Sequence, residues 1–275
     1  MLEKNTLHRI QGRILLAGAG KMGSAMLGGW LAHGLEPRCI AVIEPSPSAE
    51  ITALAASGIE INPDPAGIGA IEALVVAVKP QSFPQAAARL RQFVSHSTAV
   101  VSIMAGIRIV ALREACGGAV IRAMPNTPAA IGRGITVAVP AADVDSGQRE
   151  LADALLSALG VVEWVDDEGL MDAVTAVSGS GPAYVFLFAE ELTRAGIEAG
   201  LPEALAARLA CETVAGAGEL LHRSKLPPDT LRRNVTSPGG TTAAALDVLT
   251  GEPGLRNLMI RATAAAVRRS QELAG

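Results

Sequence analysis

A short apolar run leads directly into three closely spaced glycines near the start of the chain. Arg13–Ala17 has the length and continuous apolar character of a strand buried on both faces, and Met22–His33 follows with a helical pattern. Between and just inside them lie Gly18, Gly20 and Gly23, in a Gly-x-Gly-x-x-Gly pattern. A strand, a glycine turn and a helix in that order predict a βα unit whose turn binds the pyrophosphate of a dinucleotide.

Each glycine has a separate role in this prediction. Gly18 permits the tight turn, Gly20 lets the backbone approach the pyrophosphate, and Gly23 lets the helix pack close to the strand. The helix start, which includes Lys21 and Met22, directs free N–H groups and the positive end of its dipole at the phosphates. The alternative is a glycine loop of purely structural use, and the strand and helix around the motif argue against it.

The alternation of strand and helix patterns continues to about residue 167 and then stops. Further strand patterns, separated by helical ones such as Gln81–Phe93, are Cys39–Ile43, Leu74–Val78, Ala99–Ile103 and Ala119–Arg122, with Ile135–Val139 and Val161–Val165 as extensions of the sheet. The later part has only helical patterns: Pro182–Ala199, Pro202–Arg223, Thr242–Thr250 and Gly254–Leu273. We therefore predict a doubly wound, Rossmann-like α/β domain with a parallel sheet over residues 1–167, followed by an all-α domain over residues 168–275.

Composition excludes several classes of function. The net charge is −4, from 23 basic and 27 acidic residues without a long run of either sign, so neither nucleic acid nor an anionic membrane is an expected partner. The sequence has no membrane-spanning run of about eighteen apolar residues, and its four histidines lack metal-ligand spacing. Cys39, Cys116 and Cys211 are isolated, which favours buried thiols in a cytoplasmic protein. Met1–Arg13 is interpreted as a short flexible leader.

The end of the second predicted strand bears on the choice of coenzyme. Glu44 lies about 20 residues beyond the last glycine of the motif, where a carboxylate accepts the ribose hydroxyls of NADH and repels the 2′-phosphate of NADPH. Ser46 and Ser48, with the start of the next helix, offer the alternative of a phosphate site. The sequence slightly favours NADH.

Two loops beyond predicted strands are further candidates for the site. Val78, Lys79 and Pro80 end a strand at the sheet edge where ligands bind, and Lys79 either faces the coenzyme or caps the neighbouring helix. Pro125 and Asn126 lie in a loop that two prolines stiffen. By itself this second loop is either a turn or part of a site.

Two more loops precede predicted helices in the later part of the chain. Ser180 lies in a Ser-Gly-Ser-Gly-Pro hinge, where it either caps the helix that Pro182 begins or contributes to a site. The second loop places free N–H groups and uncharged hydroxyls at a helix start, which makes a seat for a carboxylate, with an ordinary N-cap as the alternative. The residues of this seat are Ser237, Gly239, Gly240, Thr241 and Thr242.

Five motifs in this order resemble the pyrroline-5-carboxylate reductase family, over about residues 13–273. They are Gly-Ala-Gly-Lys-Met-Gly from Gly18, Val-Lys-Pro from Val78, Arg-Ala-Met-Pro-Asn-Thr-Pro from Arg122, Ala-Val-Ser-Gly-Ser-Gly-Pro-Ala-Tyr from Ala176 and Val-Thr-Ser-Pro-Gly-Gly-Thr-Thr from Val235. The resemblance implies reduction of 1-pyrroline-5-carboxylate to L-proline, the last step of proline biosynthesis, by hydride transfer from NAD(P)H.

The resemblance also implies residue roles and an assembly. The Ser-Pro-Gly-Gly-Thr-Thr loop would hold the substrate carboxylate, and Thr242, the candidate catalytic residue, would contact the ring nitrogen. The helical domains of two chains would interlock into a homodimer, with rings of dimers as a larger assembly. Glu44 stands where several relatives carry a small polar residue, and Asp64 lies in the adenosine-side loop. Both departures put the family's usual NADPH preference in doubt.

Two other functions compete with this one. Two-domain reductases of β-hydroxy acids or keto acids typically carry a catalytic lysine on the first long helix after the hinge, and Pro182–Ala199 contains no lysine. A non-catalytic protein that binds a dinucleotide is the second alternative, and the intact substrate-type loop argues against it.

Overall fold

The computed structural model describes residues 7–273. The strands are β1 (Arg13–Ala17), β2 (Ile40–Ile43), β3 (Glu60–Ile61), β4 (Ile71–Val76), β5 (Ala99–Ser102), β6 (Ala119–Met124), β7 (Gly134–Pro140) and β8 (Gly160–Trp164). The α-helices are α1 (Lys21–Ala32), α2 (Ala49–Ala53), α3 (Phe83–Leu90), α4 (Ile109–Cys116), α5 (Ser146–Ser157), α6 (Met171–Val174), α7 (Gly181–Glu198), α8 (Glu203–Arg223), α9 (Pro228–Asn234), α10 (Thr241–Thr250) and α11 (Leu255–Leu273).

The chain divides into two compact units. The first comprises the described residues up to Gly179 together with those from Val267 onward, and it contains the whole sheet. The second comprises Ser180–Ala266 and is entirely helical apart from its loops. An α/β part followed by a helical part confirms the predicted fold class. The domain boundary predicted at residue 167 stays a prediction.

The eight strands form one sheet in the order β3-β2-β1-β4-β5-β6-β7-β8. Neighbours are parallel throughout, except that β6 and β7 are antiparallel. The prediction of a fully parallel sheet is therefore wrong for β7 and β8. The physical reason is the connection between β6 and β7, residues 125–133, which is shorter than the dozen or so residues that a parallel crossover requires.

Helices cover both faces of the sheet, because alternate side chains of each strand enter different cores. On β1, Ile14 and Leu16 join the core that contains α1 and α5. Leu15 and Ala17 point the other way, into the core that contains α3 and α4. These four side chains are at most 1 % exposed, and complete burial of a leucine or isoleucine stabilises the fold by about 1.5–3 kcal/mol. The doubly wound arrangement is thus confirmed.

Some predictions at the ends and on the surface need correction. The structure describes only residues 7–13 of the predicted flexible leader, and there Leu7–Arg9 form a turn of 3-10 helix with Leu7 buried. Cys39 and Cys116 are buried as predicted, whereas Cys211 is exposed on α8, a helix of the second unit whose apolar side chains are also largely uncovered. Burial raises the pKa of the Cys116 thiol to about 11, with the Arg91 charge opposing the rise.

The described residues contain neither a helix that could span a membrane nor a cluster of metal-binding side chains. From residue 7 to residue 273, each helix is too short or too polar to cross a bilayer. In the same part of the chain, histidine, cysteine, aspartate and glutamate side chains nowhere gather in a group of three that could hold a metal ion.

Candidate coenzyme and substrate sites

The three glycines of the first βα turn meet different geometrical needs. Gly18 has a φ of +94°, and a Cβ there would lie 2.7 Å from the backbone oxygen of Ala77. A Cβ at Gly23 would lie 2.0 Å from the backbone oxygen of Gly18, so α1 packs directly on the turn. At Gly20 an added Cβ would meet no atom within 4 Å. Glycine at position 20 is therefore not required by packing, and the open space beside it fits a phosphate that approaches the backbone.

The N-terminus of α1 supplies donors to that space. Gly20 is the N-cap and has no side-chain cap, and the first intrahelical bond runs from the Ser24 N–H to the Gly20 oxygen, at 2.8 Å. The N–H groups of Lys21, Met22 and Gly23 consequently have no partner within the helix. Free N–H groups and the positive end of the helix dipole fit an anionic group such as a pyrophosphate.

Glu44 follows β2 and turns toward the glycine turn rather than toward solvent. Its Oε2 accepts a hydrogen bond from the Ala19 N–H at 2.9 Å, and its Oε1 accepts one from the Ser46 N–H at 3.2 Å. The sequence-based alternative of a phosphate site also involved Ser48. The Ser48 hydroxyl oxygen instead accepts from the Ile51 N–H at 3.3 Å, as the N-cap of α2.

The Val-Lys-Pro motif lies just beyond β4, which ends at Val76, two residues earlier than predicted. Pro80 begins a 3-10 helix, and the Lys79 side chain is exposed and does not cap it. Lys79 is thus the N-cap residue of this 3-10 helix by its backbone position, but not through its side chain. The backbone nitrogen of Val78 would lie 3.0 Å from a Cβ at Gly18, so the structure brings this motif against the glycine turn.

The loop after β6 is held in place by its asparagine. The Asn126 Oδ1 accepts a hydrogen bond from the Ile135 N–H of β7 at 3.0 Å, and Pro125 is buried. A Cβ at Gly179 would lie 2.6 Å from the methyl carbon of Met124. Met124 of the Met-Pro-Asn-Thr-Pro loop and Gly179 thus lie against each other within the first unit.

A buried ion pair that sequence reasoning missed supports the same loop. Arg122 Nη1 lies 2.9 Å from Glu168 Oε1, and the Arg122 side chain is only 5 % exposed. The same carboxylate oxygen accepts a hydrogen bond from the Ile109 N–H at the start of α4, at 2.8 Å. An arginine inside an otherwise apolar strand is a sequence signal for such a pair, because a buried charge needs a partner.

Of the two alternatives for Ser180, the structure does not show the side-chain cap of α7. Residues Thr175–Gly179 form a π-helical turn, in which the Ser178 hydroxyl donates to the Val174 carbonyl at 2.9 Å. Ser180 follows with helical backbone angles and makes no side-chain cap bond. An N-cap residue has extended rather than helical angles, which a chain arriving from a helical turn does not provide.

The Ser-Pro-Gly-Gly-Thr-Thr loop lies in the second unit, at the start of α10. Gly239 has a φ of +67°, and the Gly240 N–H donates to the Ser237 carbonyl at 3.0 Å. The predicted free N–H of Gly240 is therefore occupied by the turn, whereas those of Thr241 and Thr242 have no partner within the helix. Gly240 is the N-cap of α10 and no side chain caps it, so Thr242 does not serve as the cap.

The helix before this loop ends in two arginines. Arg232 and Arg233 lie in the last turn of α9. A hydrogen bond from the Arg233 side chain lowers the pKa of Asp229. Because both side chains are exposed, this pair is screened by water and adds little to stability.

Comparisons with known proteins match two separate segments of the chain to family models. Residues 13–106 match the family described as NADP oxidoreductase, coenzyme F420-dependent, and residues 168–273 match pyrroline-5-carboxylate reductase dimerisation. A pyrroline-5-carboxylate reductase of Pseudomonas aeruginosa is 38 % identical, over 95 % of this chain and 97 % of its own length. The chain belongs to the pyrroline-5-carboxylate reductase family.

Solved structures of this family share the fold over its full length. A pyrroline-5-carboxylate reductase of Coxiella burnetii is 33 % identical and superposes with a TM-score of 0.89, covering 97 % of this chain and 100 % of that one. A pyrroline carboxylate reductase of Plasmodium falciparum, solved with NADP bound, is 27 % identical with a TM-score of 0.78, covering 96 % of this chain and 99 % of that one.

Proposed function

We propose that this chain reduces 1-pyrroline-5-carboxylate to L-proline with NAD(P)H, the last step of proline biosynthesis. The observation that carries the proposal is family membership along nearly the whole chain, with 38 % identity over 95 % of it to a reductase of that name. The open glycine turn with its free N–H groups supports a dinucleotide as the coenzyme.

Bound NAD(P)H supplies the hydride, so the protein's task is to bind, orient and exclude water. The glycine turn and the first turn of α1 are proposed to hold the pyrophosphate. The residues proposed to line the coenzyme site are Gly18, Gly20, Lys21, Met22, Gly23, Glu44, Ser46, Val78, Lys79, Pro80, Pro125 and Asn126. The structure brings the glycine turn, Glu44, Ser46 and Val78 together through the contacts described above.

The loop at the start of α10 is proposed to bind the substrate. The free N–H groups of Thr241 and Thr242 seat the substrate carboxylate, and the turn formed by Ser237, Gly239 and Gly240 shapes that seat. The Thr242 hydroxyl is proposed to hydrogen-bond the ring nitrogen, whose basicity rises during reduction. A hydroxyl suffices for this contact, so the chemistry does not require an acidic or basic side chain with a tuned pKa in this loop.

The test is to incubate the purified protein with pyrroline-5-carboxylate and either reduced coenzyme, following coenzyme oxidation and measuring proline. Coenzyme oxidation with matching proline formation is the expected result. Folded protein that forms no proline with either coenzyme would exclude the proposal. Oxidation with a β-keto acid instead would favour the competing reductase class, and coenzyme binding without turnover of any substrate would favour a non-catalytic protein.

Within the NAD(P)H class, we infer that NADH is used at least as well as NADPH. The Glu44 carboxylate already engages the N–H groups of Ala19 and Ser46, and each of its oxygens retains a lone pair that can accept a ribose hydroxyl. A 2′-phosphate would face this negative charge and would find the Ser46 N–H occupied. Like charges at such distances in a partly desolvated site oppose binding by about 1 kcal/mol or more.

Replacing Glu44 with serine is expected to shift coenzyme preference toward NADPH by about tenfold, the change that removal of roughly 1.4 kcal/mol of repulsion produces. The measurement is kcat/KM for both coenzymes with the native and variant proteins. A native protein that already favours NADPH several-fold would contradict the inferred role of Glu44.

The oligomer is proposed to be a homodimer joined through the helical part. Large apolar side chains there are uncovered in the single chain: Phe186 is 68 % exposed, Leu220 57 % and Ile260 61 %. A two-fold pair of helical units would bury such faces against each other, and the match to a dimerisation family over residues 168–273 supports this. Rings of such dimers are proposed as the larger assembly. A cytoplasmic location is proposed as well, because the cysteines are free thiols.

Light scattering at micromolar concentration is expected to give the mass of two chains of 28.1 kDa, or of a larger assembly built from such dimers. A mass of one chain would exclude the dimer. The Phe186→Glu variant, measured at the same concentration, is expected to dissociate toward the single chain. The substitution places a charge in the proposed apolar contact.

A further inference from the structure

Asn62, directly after β3, holds an unusual backbone conformation. Its φ is +53°, and it is the single non-glycine residue with a positive φ between residues 7 and 273. Asparagine tolerates this left-handed region better than most residues. The Asn62 N–H donates to the Val42 carbonyl at 2.7 Å. This bond continues the pairing of β3, which is the edge strand of the sheet, with β2. The chain then turns, and the side chain of Asn62 faces the residue that follows β2.

The side-chain amide of Asn62 holds the main chain of Glu44 at two points. Its Oδ1 accepts from the Glu44 N–H at 3.0 Å, and its Nδ2 donates to the Glu44 carbonyl at 2.9 Å. Strand β3 pairs only with Ala41 and Val42 of β2, so it does not reach Glu44. The Asn62 amide therefore replaces a partner strand at this position, with one donor and one acceptor in the arrangement that a backbone would offer.

These contacts form a continuous path from the sheet edge to the glycine turn. Asn62 fixes the backbone of Glu44, and the carboxylate of Glu44 bonds the N–H groups of Ala19 and Ser46. We propose that Asn62 is a positioning residue for coenzyme selection, which keeps the Glu44 carboxylate where the coenzyme's 2′ position lies. This proposal rests on the proposed role of Glu44. Without the two hydrogen bonds from the Asn62 amide, the Glu44 carboxylate gains freedom to turn toward water, and the Ser46 N–H becomes available to a 2′-phosphate.

The test uses Asn62→Gly, because glycine keeps the left-handed backbone accessible while removing both side-chain bonds. Dissociation constants for NADH and NADPH are measured directly on the full-length protein by fluorescence titration, without the pyrroline substrate. The ratio of the NADPH constant to the NADH constant is expected to fall by about threefold to tenfold, as loss of one net hydrogen bond would produce. In a Glu44→Ser background, the same substitution is expected to change the ratio by less than about twofold, since the group it positions is absent.

A control variant separates positioning from stability. Asp145→Ala breaks the capping box of α5 with Gln148, which should lower the melting temperature by about 2–4 °C and leave the coenzyme ratio unchanged.

The outcomes distinguish this proposal from the functional proposal on which it rests. If Asn62→Gly behaves like Asp145→Ala, with a lower melting temperature and an unchanged ratio, the residue is merely structural and the positioning role is overturned. If Glu44→Ser itself leaves the ratio unchanged, the coenzyme proposal fails and the Asn62 proposal fails with it. Failure to form proline overturns the assigned substrate alone, because the binding measurements do not depend on it.

Discussion

Replacing Thr242 with alanine is expected to lower turnover by about five- to 150-fold, the rate loss that corresponds to roughly 1–3 kcal/mol of lost transition-state hydrogen bonding. The proposed bond to the ring nitrogen strengthens as the nitrogen becomes basic, and an interaction that strengthens along the reaction lowers the barrier. Coenzyme affinity should stay nearly unchanged, because Thr242 belongs to the helical unit and not to the glycine turn. Steady-state kinetics and a coenzyme titration on one preparation check both statements.

The structure also predicts how the melting temperature of this variant will behave. Gly240, not Thr242, is the N-cap of α10, and no side chain caps the helix. Alanine is a better helix former than threonine, so Thr242→Ala should not destabilise the protein. Thr250→Ala, at the other end of α10, removes a hydroxyl that bonds the Leu246 carbonyl and serves as the matched control with normal turnover. Normal turnover in the Thr242 variant would remove this residue from the proposed site.

Gly20→Val is expected to weaken coenzyme binding by about ten- to 150-fold, the loss that follows when one charge-assisted contact of roughly 1.5–3 kcal/mol is blocked. The added side chain would occupy the open space beside the turn, where the pyrophosphate is proposed to meet the backbone. Because that space contains no protein atom within 4 Å of the new Cβ, the fold should tolerate the change. A coenzyme titration and a melting curve make the comparison.

Two glycines of the same helix provide matched controls for this prediction. Gly28 also faces open space, but it lies near the far end of α1, so Gly28→Val should leave coenzyme binding intact. Gly23→Ala should instead lower the melting temperature, because its Cβ would lie 2.0 Å from the Gly18 oxygen. Equal coenzyme affinity in the native, Gly20→Val and Gly28→Val proteins would contradict the pyrophosphate role of the turn.

Much of the α/β part was predictable because its strands are buried on both faces. Within its predicted strand runs, Ile14–Ala17 and Ala119–Ile121 are apolar without interruption, which is typical of strands that are covered on both faces. The short strand Glu60–Ile61 escaped prediction because two half-buried residues carry no periodic signal. The bounds of the helices Ile109–Cys116 and Ser146–Ser157 were not predicted either. For the second helix a sequence signal existed, because Asp145 and Gln148 have the residue types and spacing of a capping box.

The candidate site divides in the same way between local and long-range features. The glycine turn was predictable because its geometry depends on residues within one short segment. The clamp from Asn62 to Glu44 and the ion pair from Arg122 to Glu168 join residues 18 and 46 positions apart, so they depend on strand order and helix placement. The lack of a side-chain cap from Ser180 has a related cause, since a serine caps a helix after an extended segment but not after a π-helical turn.

The reversal of direction between β6 and β7 has a consequence for how this sequence can vary. Because β7 and β8 run opposite to the other strands, they end at the sheet edge away from the glycine turn. The connections that leave them, Ala141–Asp145 and Val165–Asp167, therefore lie on the side remote from the proposed coenzyme. Surface connections accept insertions and substitutions readily. Exposed positions of these two segments, such as Ala142 and Asp166, are therefore expected to change more readily than residues 125–133 on the opposite side, whereas Asp145 is held by its capping box.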